Sequence, residues 1–186
     1  MDLALFVLRI VVGLLFIGHG AQKLFGFFDG GGIGATASAF EQMGLRPGRL
    51  HATAAGCAEF GGGLLLALGL LTPLAAATIT AVMATAIITV HARNGLWNTE
   101  KGFEYNLVLI AAVFAVTGAG PGAWSLDNAL GFHLGGAEWA LLALVAGLLG
   151  SIGTVLIGRG WEHGPRERGQ PGGFGGGSGP AQPHPR

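Results

Sequence analysis

The stretch "LALFVLRIVVGLLFIGHGAQKLF", residues 3–25, decides the fold. A bilayer hydrocarbon core is roughly 30 Å thick and a helix rises about 1.5 Å per residue, so about 20 apolar residues suffice to cross it. This segment is long enough, yet it carries Arg9, His19, Gln22 and Lys23. An ionisable group near the centre of a membrane helix costs at least about 2.5 to 3.5 kcal/mol, which turns such groups towards a bundle interior and towards partners. The segment is therefore read as a membrane helix with polar business on one face.

The composition agrees. Of 186 residues, 51% are hydrophobic and 11% charged, against about 25% charged in a soluble domain. The formal net charge is zero and no basic stripe with interleaved aromatics is present, which excludes a nucleic-acid partner. Cys57 is the only cysteine, so no intrachain disulfide and no CxxC dithiol exist.

Five segments reach membrane length, at about 3–25, 50–71, 74–92, 104–119 and 138–158. The first lacks a convincing A-x-A cleavage site and has Arg9 within its apolar run, so it is read as a retained helix, not a signal peptide. Pro73 follows Leu71 closely and leaves room only for a tight turn, which makes the second and third segments an antiparallel hairpin. The first loop contains "ATASAFEQMGL", an amphipathic stretch suited to the membrane surface or to a lid over the bundle. From Gly164 the chain is rich in Gly and Pro and is read as a disordered tail, 164–186. The fold class is thus all-α: a polytopic transmembrane bundle with a four-helix core in residues 1–130 and a fifth, C-terminal transmembrane helix.

Lys and Arg set the orientation. Lys23, Arg46, Arg49, Arg93, Lys101, Arg159, Arg166, Arg168 and Arg186 fall on one side of a five-crossing arrangement, and only Arg9 lies towards the other. The positive-inside rule then places the N-terminus outside and the tail in the cytoplasm of a bacterial plasma (inner) membrane.

On a helical wheel Arg9, His19 and Lys23 share a face while Gln22 leaves it. Arg9 lies about 9 Å from the outer boundary and His19 about 9 Å from the inner one, with Lys23 at that inner boundary. Glu59, about 13 Å deep on the second segment, is the deepest carboxylate, and Arg9 and His19 are its candidate partners. His91, Arg93 and Glu104 return to the inner side, so the first four segments converge on an inner polar cavity. Gly18 and Gly20 would let a ligand or a backbone approach His19. Against this stand plainer roles: Lys23, Arg93 and Glu104 can snorkel into headgroups, and an Arg–Glu pair can simply fix helix register. No metal is expected, because no Glu-x-x-His or H-x-x-x-H spacing occurs. "FGGGLL" is read as close helix packing, and the threonines of the third segment as hydroxyls bonded back to their own helix.

"LRIVVGLLFIGHGAQKLFG", "AEFGGGLLLALGLLTPLAA", "MATAIITVHARNG", "GFEYNLVLIAAVFAV" and "GPGAWSLD", in this order between Leu8 and Asp127, resemble the DoxX family of small bacterial membrane proteins. The family is similar to the DoxD subunit of an archaeal thiosulfate:quinone oxidoreductase, and some members look like membrane anchors for enzymes of thiol and superoxide stress. The resemblance carries the family's polar pattern onto Arg9, His19, Lys23, Glu59, His91 and Glu104. The fifth segment and the tail depart from the usual four-helix pattern.

Two functions follow as expectations. The first is a component of a membrane oxidoreductase system, with no intrinsic cofactor. Its cavity would take a quinone or a lipidic ligand, with His19 and Glu59 handling protons, Arg9 and Lys23 polarising ring oxygens, and a redox enzyme as partner. The second is a non-enzymatic scaffold or lipid carrier with a structural Arg/Glu/His network. A proton-coupled transporter ranks below both, since no inverted repeat is evident. The small-residue face "GLLGSIG" of the fifth segment suggests a homodimer.

Overall fold

The computed structural model describes residues 1–160, and the Gly/Pro-rich tail predicted from Gly164 lies outside them. The described chain is helical throughout: α1 (Asp2–Phe25), α2 (Gly32–Gln42), α3 (Gly48–Leu68), α4 (Thr72–Ala86), α5 (Glu104–Ala119), α6 (Leu126–Ala129) and α7 (Ala137–Gly160). α1, α4 with its extension to Asn94, and α7 are long and apolar enough to cross a membrane, and α5 is a shorter apolar helix. The protein is an all-α bundle of the transmembrane type.

Glycine decides how closely the helices approach. A Cβ on Gly13 would collide with the backbone of Gly63, and one on Gly20 with the backbone of Phe60 and Gly56. As residue numbers rise along α1 they fall along α3, so the two helices are antiparallel with their backbones nearly touching. The "FGGGLL" run supplies Gly63 to this contact and Gly62 to a contact with Thr78 of α4. That confirms its reading as a packing motif.

The hairpin between α3 and α4 turns at Gly69, Leu70 and Leu71, with Gly69 and Leu71 in the left-handed region. Pro73 sits in the first turn of α4 rather than before the helix. Its fixed φ and missing N–H suit that position. α4 does not end at Ala86. It runs on as a π-helical turn over Ile87–His91 and a 3-10 turn over Ala92–Asn94.

α7 packs along α4 in the same direction. Gly147 sits on Ala77 and Thr80, Gly150 on Ala81, and the Thr85 and Ser151 hydroxyls are hydrogen-bonded at 3.1 Å. The small-residue face that suggested a dimer is therefore used within the chain, because only residues without bulk let α7 sit this close to α4. Its other face exposes Leu141, Leu142, Val145, Leu149 and Leu156.

The core fills the half of the bundle that carries the N-terminus. Val12 and Phe16 of α1, Leu66 of α3, Ile79 of α4 and Val113 and Val116 of α5 meet there, each at most 6% exposed. In the opposite half the helices part around a cavity.

Candidate functional site

The cavity has a volume of about 440 Å³ and is walled by α1, α2, α3, α4, α5 and α7. Phe16, Met83 and Leu109 belong both to the core and to its lining, so the hydrophobic core forms its floor. Val12 and His19, seven residues apart, lie on nearly the same stripe of α1. Val12 is buried in the core while His19 is exposed and lines the cavity, which locates the level at which packing gives way.

Four of the predicted site residues come together here: His19 and Lys23 from α1, Glu59 from α3 and His91 from the end of α4. Lys23 Nζ donates to Glu59 Oε2 at 2.5 Å. Glu59 is buried, so its carboxylate needs this partner, whereas Lys23 stays partly exposed. His19 Nδ1 donates to Gln22 Oε1 at 3.3 Å, and Gln22 Nε2 donates to the Phe28 carbonyl. Gln22 does leave the shared face, but from there it orients the imidazole. His91 Nδ1 donates to the Lys101 carbonyl at 2.7 Å, tying the loop before α5 to the end of α4.

Arg9 and Glu104 are placed elsewhere. Glu59 and Gly69 are separated by ten helical residues, about 15 Å, and Arg9 lies beside Gly69. It does not pair with Glu59. Its Nη2 donates to the Trp124 carbonyl at 2.5 Å, its guanidinium faces the Phe6 ring at 5.9 Å, and Phe6 meets Trp124 edge-on. Arg9 thus fastens the segment after α5 to α1, at the far end from the cavity. Glu104 accepts from the Asn98 backbone N–H at 2.9 Å and braces the loop, without lining the cavity. Of the glycines beside His19, Gly20 admits the backbone of α3, one of the two approaches expected, whereas a Cβ on Gly18 would meet nothing within 4 Å.

Other residues complete the site. His51 of α3 is buried, lines the cavity and donates from Nε2 to the Arg46 carbonyl at 3.3 Å. The Arg46 N–H donates to the Gly158 carbonyl, so α7 clips the loop that precedes α3. Ala54, Ala55 and Ala58 open the space between His51 and Glu59. The spacing of eight between these two, with small residues at three and four, was the available signal. Phe40 of α2 and Met43, the residue after that helix, line the cavity, as do Tyr105 and Asn106 of α5. The π turn brings Thr89, Val90 and His91 to the wall. π segments recur at functional sites, because one extra residue per turn redirects the side chains that follow. Among the described residues no three His, Cys, Asp or Glu side chains are grouped to hold a metal ion.

The comparisons with known proteins bear on this arrangement. Residues 4–92 match the DoxX family. An uncharacterized membrane protein of Mycobacterium tuberculosis is 32% identical over 133 residues, which cover 66% of this chain and 78% of the relative. The chain belongs to the DoxX family. No solved structure matches it significantly. The family match takes in α1 to α3 and α4 as far as Ala92, and so includes Lys23, Glu59 and three of the cavity's histidines: His19, His51 and His91. The polar end of the cavity therefore lies within the DoxX region, and α7 is added beyond it.

Proposed function

We propose that this DoxX protein serves a membrane oxidoreductase system by holding a quinone-like or lipidic molecule in the cavity. The observation that carries the proposal is an apolar chamber of about 440 Å³ in a membrane-type bundle, with an ion pair and three imidazoles in its lining. Small-molecule sites are of this size, mostly apolar, with a few convergent polar groups. His19 and His91 are the groups suited to exchanging protons with a bound head group, and Lys23 to polarising its oxygens. Arg9 has no part in it. With no electron carrier of its own on this reading, the protein depends on a redox partner. The Lys and Arg bias supports an inner-membrane orientation in which the cavity half faces the cytoplasm.

A carrier or scaffold role is the second reading. It is favoured by the Lys23–Glu59 pair, which by itself links α1 to α3 and leaves no free carboxylate at the site.

Purification in a mild detergent, with identification of the lipids and proteins that accompany the chain, tests the proposal. Co-purified quinone or a redox enzyme, both reduced in Glu59→Gln, is the expected result. Anionic lipid alone, unchanged by Glu59→Gln, overturns the redox reading in favour of the carrier.

A further inference from the structure

We infer that the cavity selects an uncharged head group on an apolar tail, such as an alcohol, amide, ketone or quinone, and disfavours carboxylates, phosphates and ammonium groups. The inference rests on the ligand-binding reading above and specifies the charge of the head group. It separates neutral amphiphiles from anionic lipids as occupants of the chamber.

Charge is sparse in the lining. Among the described residues only Lys23 and Glu59 bring a fixed charge to it, and they lie 2.5 Å apart. The remaining polar liners are imidazoles, hydroxyls and amides, such as His51, Thr89 and Asn106, which carry no fixed charge. Arg46, Arg49, Arg93 and Lys101, the other cations of this half of the bundle before α7, are exposed and stand outside the lining. Glu41 and Glu104 are also outside it, and each accepts from a backbone N–H, of Gly48 and of Asn98 respectively. The chamber is thus neutral as a whole, and its two charges are committed to each other.

An ionic head group upsets that balance whichever sign it carries. A carboxylate or phosphate must share the Lys23 ammonium with Glu59, which sets two anions beside one cation. Glu59 cannot withdraw, because its side chain is 4% exposed and glycine contacts hold its helix against α1. One negative charge then stays uncompensated among apolar walls, the costly situation for a buried ion. A cationic head group meets the converse problem, since it must share the Glu59 carboxylate with Lys23. An uncharged head group meets neither. Lys23 gives one ammonium hydrogen to Glu59, and its others can bond a carbonyl or hydroxyl oxygen while the pair stays intact.

The test uses the full chain in phosphatidylcholine nanodiscs at about pH 8.5, above the titration range of an ordinary imidazole. Three probes share one tail and nearly one shape: 4-octylbenzamide, 4-octylbenzoate and 4-octylbenzamidinium, with partition into protein-free nanodiscs subtracted. The expected result is that the amide binds at least about ten-fold tighter than either ion. Glu59→Gln leaves Lys23 without its anion and should raise benzoate affinity about ten-fold or more, with no gain for the amidinium. Lys23→Met leaves Glu59 without its cation and should do the converse, and either variant suffices if the other fails to fold. A pair that served only to join α1 to α3 would not shift the two ions in opposite directions. Either ion binding the unaltered protein as tightly as the amide, or an order of affinities unchanged in the variants, overturns the inference while leaving the ligand-binding reading standing. Failure of all three probes to bind overturns that reading as well.

Discussion

Lys23 on α1 and Glu59 on α3 meet at 2.5 Å in the half of the bundle where the hydrophobic core has given way to the cavity. The pair joins two helices that glycine already holds at backbone contact. It is both a strut and part of the cavity lining.

The two partners differ in access to water, and this sets an asymmetry. Lys23→Met would leave the Glu59 carboxylate, with 4% of its side chain exposed, unpaired, at a cost of about 3 kcal/mol or more. Glu59→Gln would leave an ammonium that is 27% exposed and can turn to solvent, at about 1 kcal/mol. Thermal unfolding in detergent should show the larger fall for Lys23→Met. The double variant Lys23→Met with Glu59→Leu should recover much of the loss, since no buried charge remains.

The glycines flanking His19 should respond in opposite ways. In Gly20→Ala the new Cβ meets Phe60 N at 2.5 Å and the Gly56 carbonyl at 2.8 Å. Backbone atoms cannot turn aside, so α1 and α3 must separate, at about 1 to 3 kcal/mol. Gly18→Ala meets nothing within 4 Å, and should stabilise the helix by up to about 1 kcal/mol through propensity alone. Equal unfolding temperatures for the two variants would contradict the packing described here.

Asp127 holds the start of α4. Its fully buried carboxylate accepts from Leu71 N at 2.7 Å, Thr72 N at 3.0 Å and Thr72 Oγ1 at 2.7 Å, while its own N–H donates to the Gly69 carbonyl. Asp127→Ala removes a helix cap and strands these donors, at about 2 kcal/mol or more. Asp127→Asn, which retains one acceptor oxygen, should lie between. Unfolding temperatures of the three proteins check the order.

Orientation is open to chemical labelling. In a Cys57→Ser background, Asn128→Cys should react with a membrane-impermeant maleimide in intact cells, and Ser38→Cys only after the cells are permeabilised. The reverse pattern would invert the topology inferred from the charges.

The membrane bundle and the meeting of His19, Lys23, Glu59 and His91 were legible in the sequence, because helical periodicity fixes which side chains share a face and depth can be counted in residues. Pairing was not legible. Arg9 satisfies the same wheel as Lys23, and only the run from Trp124 to Asp127, folding back over α1 and the hairpin turn, explains why it bonds to a carbonyl about 15 Å from Glu59 along α3. The role of Asp127 was not legible either, since its partners lie 55 and 56 positions away. The role of α7 was hidden for a related reason: a small-residue stripe is the same pattern whether its partner is another chain or α4.

The most direct test of the cavity as a ligand site is equilibrium binding of a short-chain isoprenoid quinol to the purified protein and to Ala58→Phe, which places a ring in the chamber between His51 and Glu59. Saturable binding at one molecule per chain, weakened at least about ten-fold in Ala58→Phe with the unfolding temperature retained, is the predicted result. Binding that does not saturate, or that the variant leaves unchanged, would contradict it.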